Sequence, residues 1–535
     1  MKIHYLILLF LLSLFSFHKG KSQSFSNNNA QFLPIAFDHK NSIEHYFIEH
    51  PSRKFHSSIQ PFLNTDLSIN DSIKKELFFQ FIANQKLNLE YYSSKKNILK
   101  LNFAPQLHTE IGFDALRNNS TYFQSAGLKI ETEIGNKIHL KTEFNAGTLR
   151  EPNFTDTLVG STKVIPGLGI AYLSNKNKVY SFQNFSGYVS YSPKSFVNFQ
   201  LGKDNLFLGD GYRSLLLSDV AFNYPFFKTS LRFLNFQYNV WYSWFNNIQD
   251  ANGIKTNFKN KYGTFHYLSW NATKNISLSF FENVIFQGTD TTRSRGFDPN
   301  YLNPVVFFRP VEYSLGSSDN SMIGLNLSIR FLKKFKWYTQ VVLDEFYLKE
   351  IRARNGWWAN KQGIQIGLKN INTFGVKNLT TQIEYNWVRP YTYTHGSPDQ
   401  SYTHFNQALA HPFGANFKET ILISTYRKNK FYISAKIILA EIGKDSTQNS
   451  NVGQDIFLSY TTRNNEYGNF TGQGINTTFV HAELKLSYLI IPDWNLKIET
   501  AFIQRILKNE NGFDRRTPFI YVALKTNLSN FYRDL

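Results

Sequence analysis

Two adjacent tryptophans beside arginines are the residues of this sequence whose types and spacing best suit chemistry. Arg352 and Arg354 shortly precede Trp357 and Trp358. Indole rings can stack on sugar rings, and guanidinium groups can hold acidic groups through paired hydrogen bonds. The stretch therefore predicts contact with a glycan. The alternative is an ion-pair network that braces the interior and holds loops inward. The sequence favours neither alternative over the other.

Three further stretches combine charged and aromatic side chains with a sharp turn or apolar surroundings. The first contains Gly209–Gly211, a Gly-Asp-Gly sequence that predicts a sharp turn. The others span residues 301–316 and 385–417. The candidate ligand-binding residues are Tyr212, Arg213, Asp219, Arg309, Glu312, Arg352, Arg354, Trp357, Trp358, Arg389, Tyr391 and His395.

Catalytic signatures are weak. Ser72–Lys75 matches S-x-x-K and Ser318–Asn320 matches S-D-N, but no K-T-G follows, and such short matches occur by chance. The sequence has no P-loop, H-E-x-x-H or G-x-S-x-G motif. Asp344 and Glu345 are adjacent carboxylates, but consecutive strand residues point to opposite faces and could not share a substrate. We expect no catalytic residues.

Metal chemistry is not indicated either. The chain contains 0 Cys, which excludes disulfides, Cys-zinc sites and iron–sulfur clusters. His395, Asp399, His404 and His411 lie in one loop, but their spacing matches no standard metal site, so solvated loop histidines are the favoured interpretation. We expect neither a metal nor another cofactor.

The elements that must position these residues are predicted to be β-strands with one apolar and one charged face. Leu128, Ile130, Thr132 and Ile134 alternate with Lys129, Glu131 and Glu133, and Gly135–Lys137 forms a tight turn into a second strand of the same kind. A soluble sandwich would bury the apolar face. A membrane barrel would turn it toward lipid and the charged face toward a wet lumen.

The spacing of the hairpins favours the barrel. Eight hairpins, an opening strand near Ile98–Glu110 and a closing strand near Phe519–Leu528 give about 18 strands. Hairpin turns are short, whereas many links between hairpins are long, as in outer-membrane barrels. The long links are Thr148–Tyr180, Leu208–Pro225, Gln287–Asp319, Val388–Gly414 and Glu441–Asn476. The prediction is an all-β, transmembrane antiparallel β-barrel in the outer membrane of a Gram-negative bacterium.

The N-terminal region has a different pattern. The apolar run Tyr5–Phe17 is too short to span a membrane, and with Lys2 before it and small residues after it, residues 1–22 are predicted to be a signal peptide. Residues 23–97 are predicted to form a periplasmic-side segment, a cap or partial plug with a helix over 72–84, and residues 98–535 the barrel. Phe531–Tyr532 near the end are expected to serve recognition by the assembly machinery.

The unusual stretches together resemble a known family. L-G-x-x-x-x-F-x-G-D-G-Y-R-S-L-L-L-S-D (201–219), Y-L-N-P-V-x-F-x-R-P-V-E (301–312), D-E-F-x-L-K-E-x-R-A-R-x-G-W-W-A-N-K (344–361) and R-P-Y-T-Y-x-H-G (389–396) are similar to the Bacteroidota branch of the Wzi-like capsule assembly family, which includes RemB-type gliding-motility proteins. The resemblance covers roughly residue 101 to the end. It implies an outer-membrane barrel that holds capsular polysaccharide, or one that supports gliding.

Two functions from different classes remain open. The first is a non-enzymatic protein that binds or anchors surface polysaccharide; a net charge of +19, from 58 Lys and Arg against 39 Asp and Glu, suits an acidic glycan or anionic lipopolysaccharide. The second is a porin-like diffusion channel, because a barrel of this size leaves an aqueous interior unless something fills it. Expected partners are polysaccharide, outer-membrane lipid and lipopolysaccharide, and gliding or secretion machinery, but not nucleic acid.

Overall fold

A computed structural model describes residues 28–67, 87–93, 97–174, 178–251, 254–289, 296–304, 319–447, 449–491, 494–526 and 530–535. The predicted signal peptide, the predicted helix over 72–84, and the candidate residues Arg309 and Glu312 lie outside these ranges. The predicted limits of the N-terminal segment and the barrel stay predictions.

The described residues form a closed antiparallel β-barrel of 18 strands, which confirms the predicted fold. The ring closes where the last strand pairs with the first, with Phe519 opposite Asp114. The strands are β1 Asn97–Asp114, β2 Asn119–Ile134, β3 Ile138–Arg150, β4 Val179–Lys194, β5 Val197–Asp204, β6 Tyr224–Phe233, β7 Phe236–Asn247, β8 Lys259–Trp270, β9 Ile276–Gln287, β10 Asn320–Phe331, β11 Phe335–Glu345, β12 Lys361–Ile371, β13 Leu379–Val388, β14 Phe417–Lys428, β15 Phe431–Lys444, β16 Ile475–Ile491, β17 Leu496–Asn509 and β18 Asp514–Lys525.

The apolar faces of the strands point outward and the charged faces point inward. In β2, Leu128 is 43% exposed, whereas its neighbour Lys129 is 5% exposed and forms a 3.0 Å ion pair with Glu131 inside the ring. A water-soluble protein of this size would bury its apolar side chains instead. This inverted arrangement is that of a barrel whose outer surface contacts lipid.

The two rims of the barrel differ in the length of their connections. The eight predicted hairpins join β2 to β3, β4 to β5 and so on to β17, and their turns define the short-turn rim. The opposite long-loop rim carries, among others, residues 151–178, 205–223, 346–360, 389–416 and 445–474. The sequence predicts one of the hairpin turns at Ser192–Lys194, but β4 continues through Lys194 and the chain reverses at Ser195–Phe196.

Helices and short strands occur outside the ring strands. The helices are α1 Phe37–Glu49, α2 Asn64–Leu67, α3 Asn153–Thr162 and α4 Leu348–Ala353, with 3-10 turns at Lys255–Asn257, Pro299–Leu302, Thr373–Gly375, Pro398–Gln400 and Tyr460–Thr462. The short strands are Ile59–Gln60, Leu87–Ser93, Val164–Ile165, Gly169–Ile170, Tyr172–Ser174, Phe207–Leu208, Thr403–His404 and Gln407–Ala408. No described helix has both the length and the apolar character needed to cross a bilayer.

The lumen is filled by four chain segments, which we call the plug: residues 28–67, 205–223, 389–416 and 530–535. Ile59–Gln60 pairs with Phe207–Leu208 in the interior. The hydroxyls of Tyr393 and Tyr402 donate to the carbonyls of Leu215 and Leu216, each at 2.8 Å. Leu215, Leu216 and Leu217 are fully buried among apolar wall residues, so the main apolar core lies inside the ring.

The end of the chain belongs to the plug rather than to the wall. Strand β18 ends at Lys525, and Phe531 packs edge-on against Phe123 of β2, with ring centroids 5.5 Å apart. The Tyr532 hydroxyl donates to Asp219 at 2.8 Å. The two aromatics therefore face the interior of the folded barrel, and their expected role in recognition by the assembly machinery stays a prediction.

Candidate functional site

The glycine-rich bend reaches deep into the lumen and is held by carboxylates and lysines. The Asp210 carboxylate accepts from Ser57 at 2.6 Å and from Lys336 of β11 at 2.5 Å. A Cβ atom on Gly211 would lie 2.4 Å from the Glu384 carboxylate, so only glycine fits at this close approach. The bend predicted from the sequence therefore serves close packing against the wall.

Tyr212 and Arg213 follow the bend and join three parts of the chain. Their backbone amides donate to the two oxygens of Glu384, at 2.7 and 3.1 Å. The Tyr212 hydroxyl donates to the Asp534 carboxylate at 2.6 Å, and Arg213 donates to the Asp534 carbonyl at 2.8 Å. Lys436 of β15 donates to the same carboxylate at 2.8 Å. One buried aspartate thus connects loop, tail and wall.

The structure favours the bracing alternative for the three candidates in this loop. Tyr212, Arg213 and Asp219 are all buried, and Asp219 accepts from Asn530 and Tyr532 of the tail. Burial raises the pKa of Asp219, which the two hydrogen bonds oppose. Because these side chains are enclosed and engaged with one another, they have no surface to offer to a polymer outside the barrel.

Helix α1 is attached to the wall by a buried carboxylate. Glu44 lies 3.1 Å from Lys336 and also pairs with Lys369 of β12. Burial would raise the pKa of Glu44, but the two lysines lower it below its ordinary value. Lys40, one turn earlier, donates to the Gly211 carbonyl at 2.8 Å and lies 4.3 Å from the centroid of the Phe207 ring.

The buried amine of Lys40 makes a pH-dependent contribution to stability. Burial and the neighbouring Lys369 lower its pKa from 10.5 to about 7, against the attraction of Glu44 and Asp210. Between these two values the unfolded chain binds more protons at Lys40, so its contribution to stability rises with pH.

Lys40→Met should flatten that rise, measured as the thermal unfolding midpoint of the purified protein across this pH window. Lys54→Met, on an exposed lysine of the same segment, should keep the wild-type slope; a flat wild-type curve would contradict the assignment.

At the long-loop rim, four aromatic side chains form what we call the aromatic ledge: Tyr347, Trp357, Trp358 and Tyr460. Trp358 lies 4.7 Å from Tyr460 and 6.3 Å from Trp357 between ring centroids, and Trp357 lies 6.1 Å from Tyr347. Trp358 is buried, Trp357 and Tyr460 are half-buried, and Tyr347 is exposed. The ledge therefore has a buried base and an accessible outer edge.

Two loops position the ledge by pairing their backbones. The Trp358 amide donates to the Glu466 carbonyl at 3.0 Å, and the Asn469 amide donates to the Gly356 carbonyl at 2.9 Å. Gly356 has φ 70°, and a Cβ there would approach the Asn469 nitrogen to 2.7 Å. A glycine is thus required directly before the two tryptophans so that the loop 445–474 can come close.

A carboxylate and an arginine fix the indole rings. Glu466 accepts from the indole nitrogen of Trp358 at 2.9 Å and of Trp357 at 3.4 Å. Arg463 binds the same carboxylate and stacks over Trp358, 4.3 Å from the ring centroid. Hydrogen bonds from Arg463 lower the pKa of Glu466, so the carboxylate stays ionised and keeps accepting from both indoles.

Arg389, Tyr391 and His395 support the ledge from below. Arg389 donates to the carbonyl of Asn360 at 2.8 Å, and Tyr391 lies edge-on to Trp358 at 6.1 Å between centroids. Burial lowers the pKa of Arg389, raises that of Tyr391 to about 12 and lowers that of His395 to about 4. His395 is therefore neutral at physiological pH, and its ring lies 5.6 Å from that of Tyr460.

The predicted site residues that the structure describes thus fall into two groups: Tyr212, Arg213 and Asp219 in the lumen, and the others at the long-loop rim. Trp357, Trp358, Arg389, Tyr391 and His395 come together at the ledge, and Arg352 and Arg354 are exposed on the same loop. Sequence reasoning missed Tyr347 on the same loop. It also missed Tyr460, Arg463 and Glu466, which complete the ledge from a different loop. The only signal for them is an aromatic, polar stretch at 460–470 in a long loop, which carries no recognisable motif.

The loop histidines are not solvated, contrary to expectation. His404 and His411 are buried in the plug, where His411 lies 2.7 Å from Glu419 of β14. Burial lowers the pKa of His404 to about 3 and also lowers that of His411, although Glu419 opposes the latter shift. Among the described residues, no group of His, Asp or Glu side chains is arranged to hold a metal ion.

Asp344 and Glu345 approach the same partner, which corrects the expectation of opposite faces. The pairing of β11 with β12 shifts register between Leu343 and Glu345. Such a bulge reorients side chains at the end of a strand. Lys361 consequently lies 3.2 Å from Asp344 and 3.3 Å from Glu345, so one amine pairs with both carboxylates.

Comparison with known proteins identifies the fold. No protein-family model and no curated protein matches the sequence. The structure is similar to that of Wzi from Escherichia coli, an outer-membrane protein involved in group 1 capsule assembly and described as a carbohydrate-binding β-barrel, with TM-score 0.57, 11% identity, and coverage of 92% of this chain and 99% of that chain. Pseudomonas aeruginosa OprD (TM-score 0.41, 10% identity, 83% and 98% covered) and OccK1 (0.43, 8%, 79% and 98%) are also matched. The chain therefore has the barrel fold of Wzi over nearly its full length.

Proposed function

We propose that the protein is a non-enzymatic outer-membrane protein that binds or anchors a surface polysaccharide through its long-loop rim. The outward-facing apolar side chains support placement in a membrane, and short turns on one rim with long loops on the other support an orientation with the ledge outside the cell. The fold shared with Wzi, itself described as carbohydrate-binding, is consistent with this role.

The aromatic ledge is the observation that carries the proposal. Its outer edge, formed by Tyr347, Trp357 and Tyr460, is exposed or half-buried, and Arg352 and Arg354 are exposed on the loop that carries Trp357. Aromatic faces stack on the apolar faces of sugar rings, and arginines pair with carboxylates of acidic sugars. Because the ledge is held by two paired backbones, little ordering is needed when a glycan binds.

The filled lumen favours binding over diffusion through a channel. The plug carries its own apolar core and buried ion pairs, and residues such as Arg213 and Tyr393 occupy the space that a porin leaves to water. We therefore expect no persistent open current from the wild-type protein in planar bilayers. A stable, salt-selective current would support the porin-like alternative.

The proposal extends to the biological role of polysaccharide binding and to the molecules that surround the protein. The sequence resemblance to the Bacteroidota branch favours capsule retention or support of gliding, with lipopolysaccharide and gliding or secretion machinery as neighbours in the membrane. The absence of catalytic motifs supports a non-enzymatic role. Deletion of the gene, followed by staining of surface polysaccharide and tracking of cell movement, separates capsule retention from gliding.

Replacing Trp357 with alanine should weaken glycan binding at least tenfold, as expected for an aromatic anchor of an interface. Trp357 is preferred to the buried Trp358, whose removal would also disturb Tyr391 and Tyr460. The measurement is binding of polysaccharide, purified from the cell surface, to the detergent-solubilised protein.

The matched control is Trp270→Ala, which removes a partly exposed tryptophan at the opposite rim, where it stacks on Phe236. This variant should bind the glycan as the wild type does. If Trp357→Ala retains full binding while the barrel still shows heat-modifiable migration, direct binding at the ledge is wrong.

A further inference from the structure

The short-turn rim carries a ring of lysines. Eight exposed lysines lie in or directly beside the hairpin turns, and we call them the lysine collar: Lys137, Lys194, Lys274, Lys333, Lys334, Lys377, Lys428 and Lys430. Seven of the eight turns contain no Asp or Glu, whereas the sequence between β16 and β17 contains Asp493. Eight of the chain's 58 Lys and Arg residues are thus exposed on the perimeter of one rim.

The collar lysines have no ion-pair partners among the described residues. Three cations at the opposite rim have carboxylate partners: Lys259 lies 3.6 Å from Asp399, Lys418 lies 3.8 Å from Glu441, and Arg516 lies 3.1 Å from Asp514. Others there, such as Arg352 and Arg354, have no ion-pair partner among the described residues. Like charges crowded on one perimeter repel one another. An external anion would remove this repulsion.

Large apolar side chains stand at the tips of three of these turns. Leu234, Leu332 and Phe374 are 92%, 76% and 94% exposed, and their φ angles are 52°, 53° and 55°. Positive φ is uncommon for bulky residues, and turns of this kind ordinarily use glycine or asparagine. The tips continue the apolar outer band of the barrel, where Phe233 and Phe331 are also exposed next to the turns.

We propose that the lysine collar and the apolar tips bind anionic phospholipid of the leaflet at the short-turn rim. The lysines pair with headgroup phosphates while the tips insert among the adjacent acyl chains, so the rim combines charge attraction with apolar contact. The apolar tips favour lipid over a purely polar polyanion such as the cell-wall glycan. This inference depends on the proposed membrane placement but not on glycan binding at the ledge.

Lipid titrations of the purified full-length protein, followed by native mass spectrometry, test the proposal. The wild type should retain phosphatidylglycerol in preference to phosphatidylcholine, and added salt should reduce the preference. The quadruple variant Lys333→Gln, Lys334→Gln, Lys428→Gln and Lys430→Gln should bind phosphatidylglycerol about tenfold more weakly or worse, with phosphatidylcholine binding unchanged. Leu332→Ser with Phe374→Ser should weaken the binding of both lipids.

The control removes two cations from the same rim but inside the ring. Arg53 and Lys54 are exposed on the plug, beside the turn between β8 and β9, where Asn271 donates to the Arg53 carbonyl at 2.8 Å. Arg53→Gln with Lys54→Gln should keep the lipid preference.

The proposal is overturned if the quadruple variant retains phosphatidylglycerol like the wild type, if the control loses it equally, or if the quadruple variant loses only binding to soluble cell-wall glycan fragments. Trp357→Ala should leave the lipid preference intact. A failure of glycan binding at the ledge can therefore be distinguished from a failure of lipid binding at the collar.

Discussion

Replacing Asp534 with alanine should convert a closed barrel into one that conducts ions. The carboxylate of Asp534 accepts from Tyr212 and Lys436, and it lies 3.5 Å from Arg213. Removing one member of a buried ionic network leaves the other charges without compensation, which costs about 3–5 kcal/mol. We expect the lower end, because Glu419 still lies 3.6 Å from Arg213 and Glu483 lies 3.5 Å from Lys436.

The measurement is the current across a planar bilayer that contains the purified protein. The wild type should stay closed, whereas Asp534→Ala should show step-like openings as loop 205–223 and the tail separate. Asp514→Ala breaks an exposed ion pair with Arg516 at the long-loop rim and should leave the current unchanged. A closed Asp534→Ala barrel with normal thermal stability would show that the network does not hold the plug.

Replacing Glu44 with alanine should release helix α1 from the wall. The change leaves Lys336 and Lys369 without their shared countercharge, although Lys336 keeps Asp210 as a partner. We expect a destabilisation of about 3 kcal/mol, confined to the N-terminal part of the plug. Hydrogen exchange of the α1 amides should then accelerate by roughly two orders of magnitude, because that free energy sets the opening equilibrium.

Glu49→Ala provides the comparison on the same helix. Its carboxylate is 37% exposed and accepts from Asn372 at 2.8 Å near the rim. Solvated pairs of this kind contribute little, so exchange should change by severalfold at most. Equal acceleration in both variants would indicate that α1 is held by its packing as a whole and not by Glu44.

The barrel could be predicted because lipid imposes a simple rule on each strand. Leu128 and Lys129 face opposite sides, and an alternation of that kind needs no knowledge of the partner strand. Turn residues such as Gly135–Lys137 add local signals, so eight hairpins could be counted from local patterns. The weaker signal at Ser192–Lys194 explains why that turn was predicted a few residues early.

A partial plug is predicted for the N-terminal segment, but the inward course of loops 205–223 and 389–416 and of the tail could not be predicted, because their contacts are mostly distant in sequence. The sequence of loop 205–223 indicates a bend but not a direction, and its apolar run Leu215–Leu217 suits a lipid-facing strand equally well. Only the pairing of Tyr212 with Asp534, more than three hundred residues later, shows that the loop turns inward. His411 is predicted to be a solvated loop histidine because nothing in the sequence shows that its loop turns inward, although its partner Glu419 is only eight residues away.

The aromatic ledge could be predicted from the sequence only in part. Side-chain chemistry singled out Trp357 and Trp358, and the structure places them at the long-loop rim together with five of the other candidates. Glu466 and Arg463, which orient the indoles, lie about a hundred residues away in a loop without a motif, so no pattern connects the two loops. Tyr212, Arg213 and Asp219 have the same residue types but opposite surroundings, and only burial separates the two groups.

The composition of the plug has a consequence for biogenesis. Its contacts join residues near 40, 210, 400 and 530, so loop-closure entropy has to be overcome across most of the chain before any of them forms. The ring strands can pair hairpin by hairpin, whereas the contacts of the tail at 530–535 can form only after the last strand. We therefore expect the plug to be completed late, and the barrel with an incomplete interior should be the stage most sensitive to heat or proteolysis.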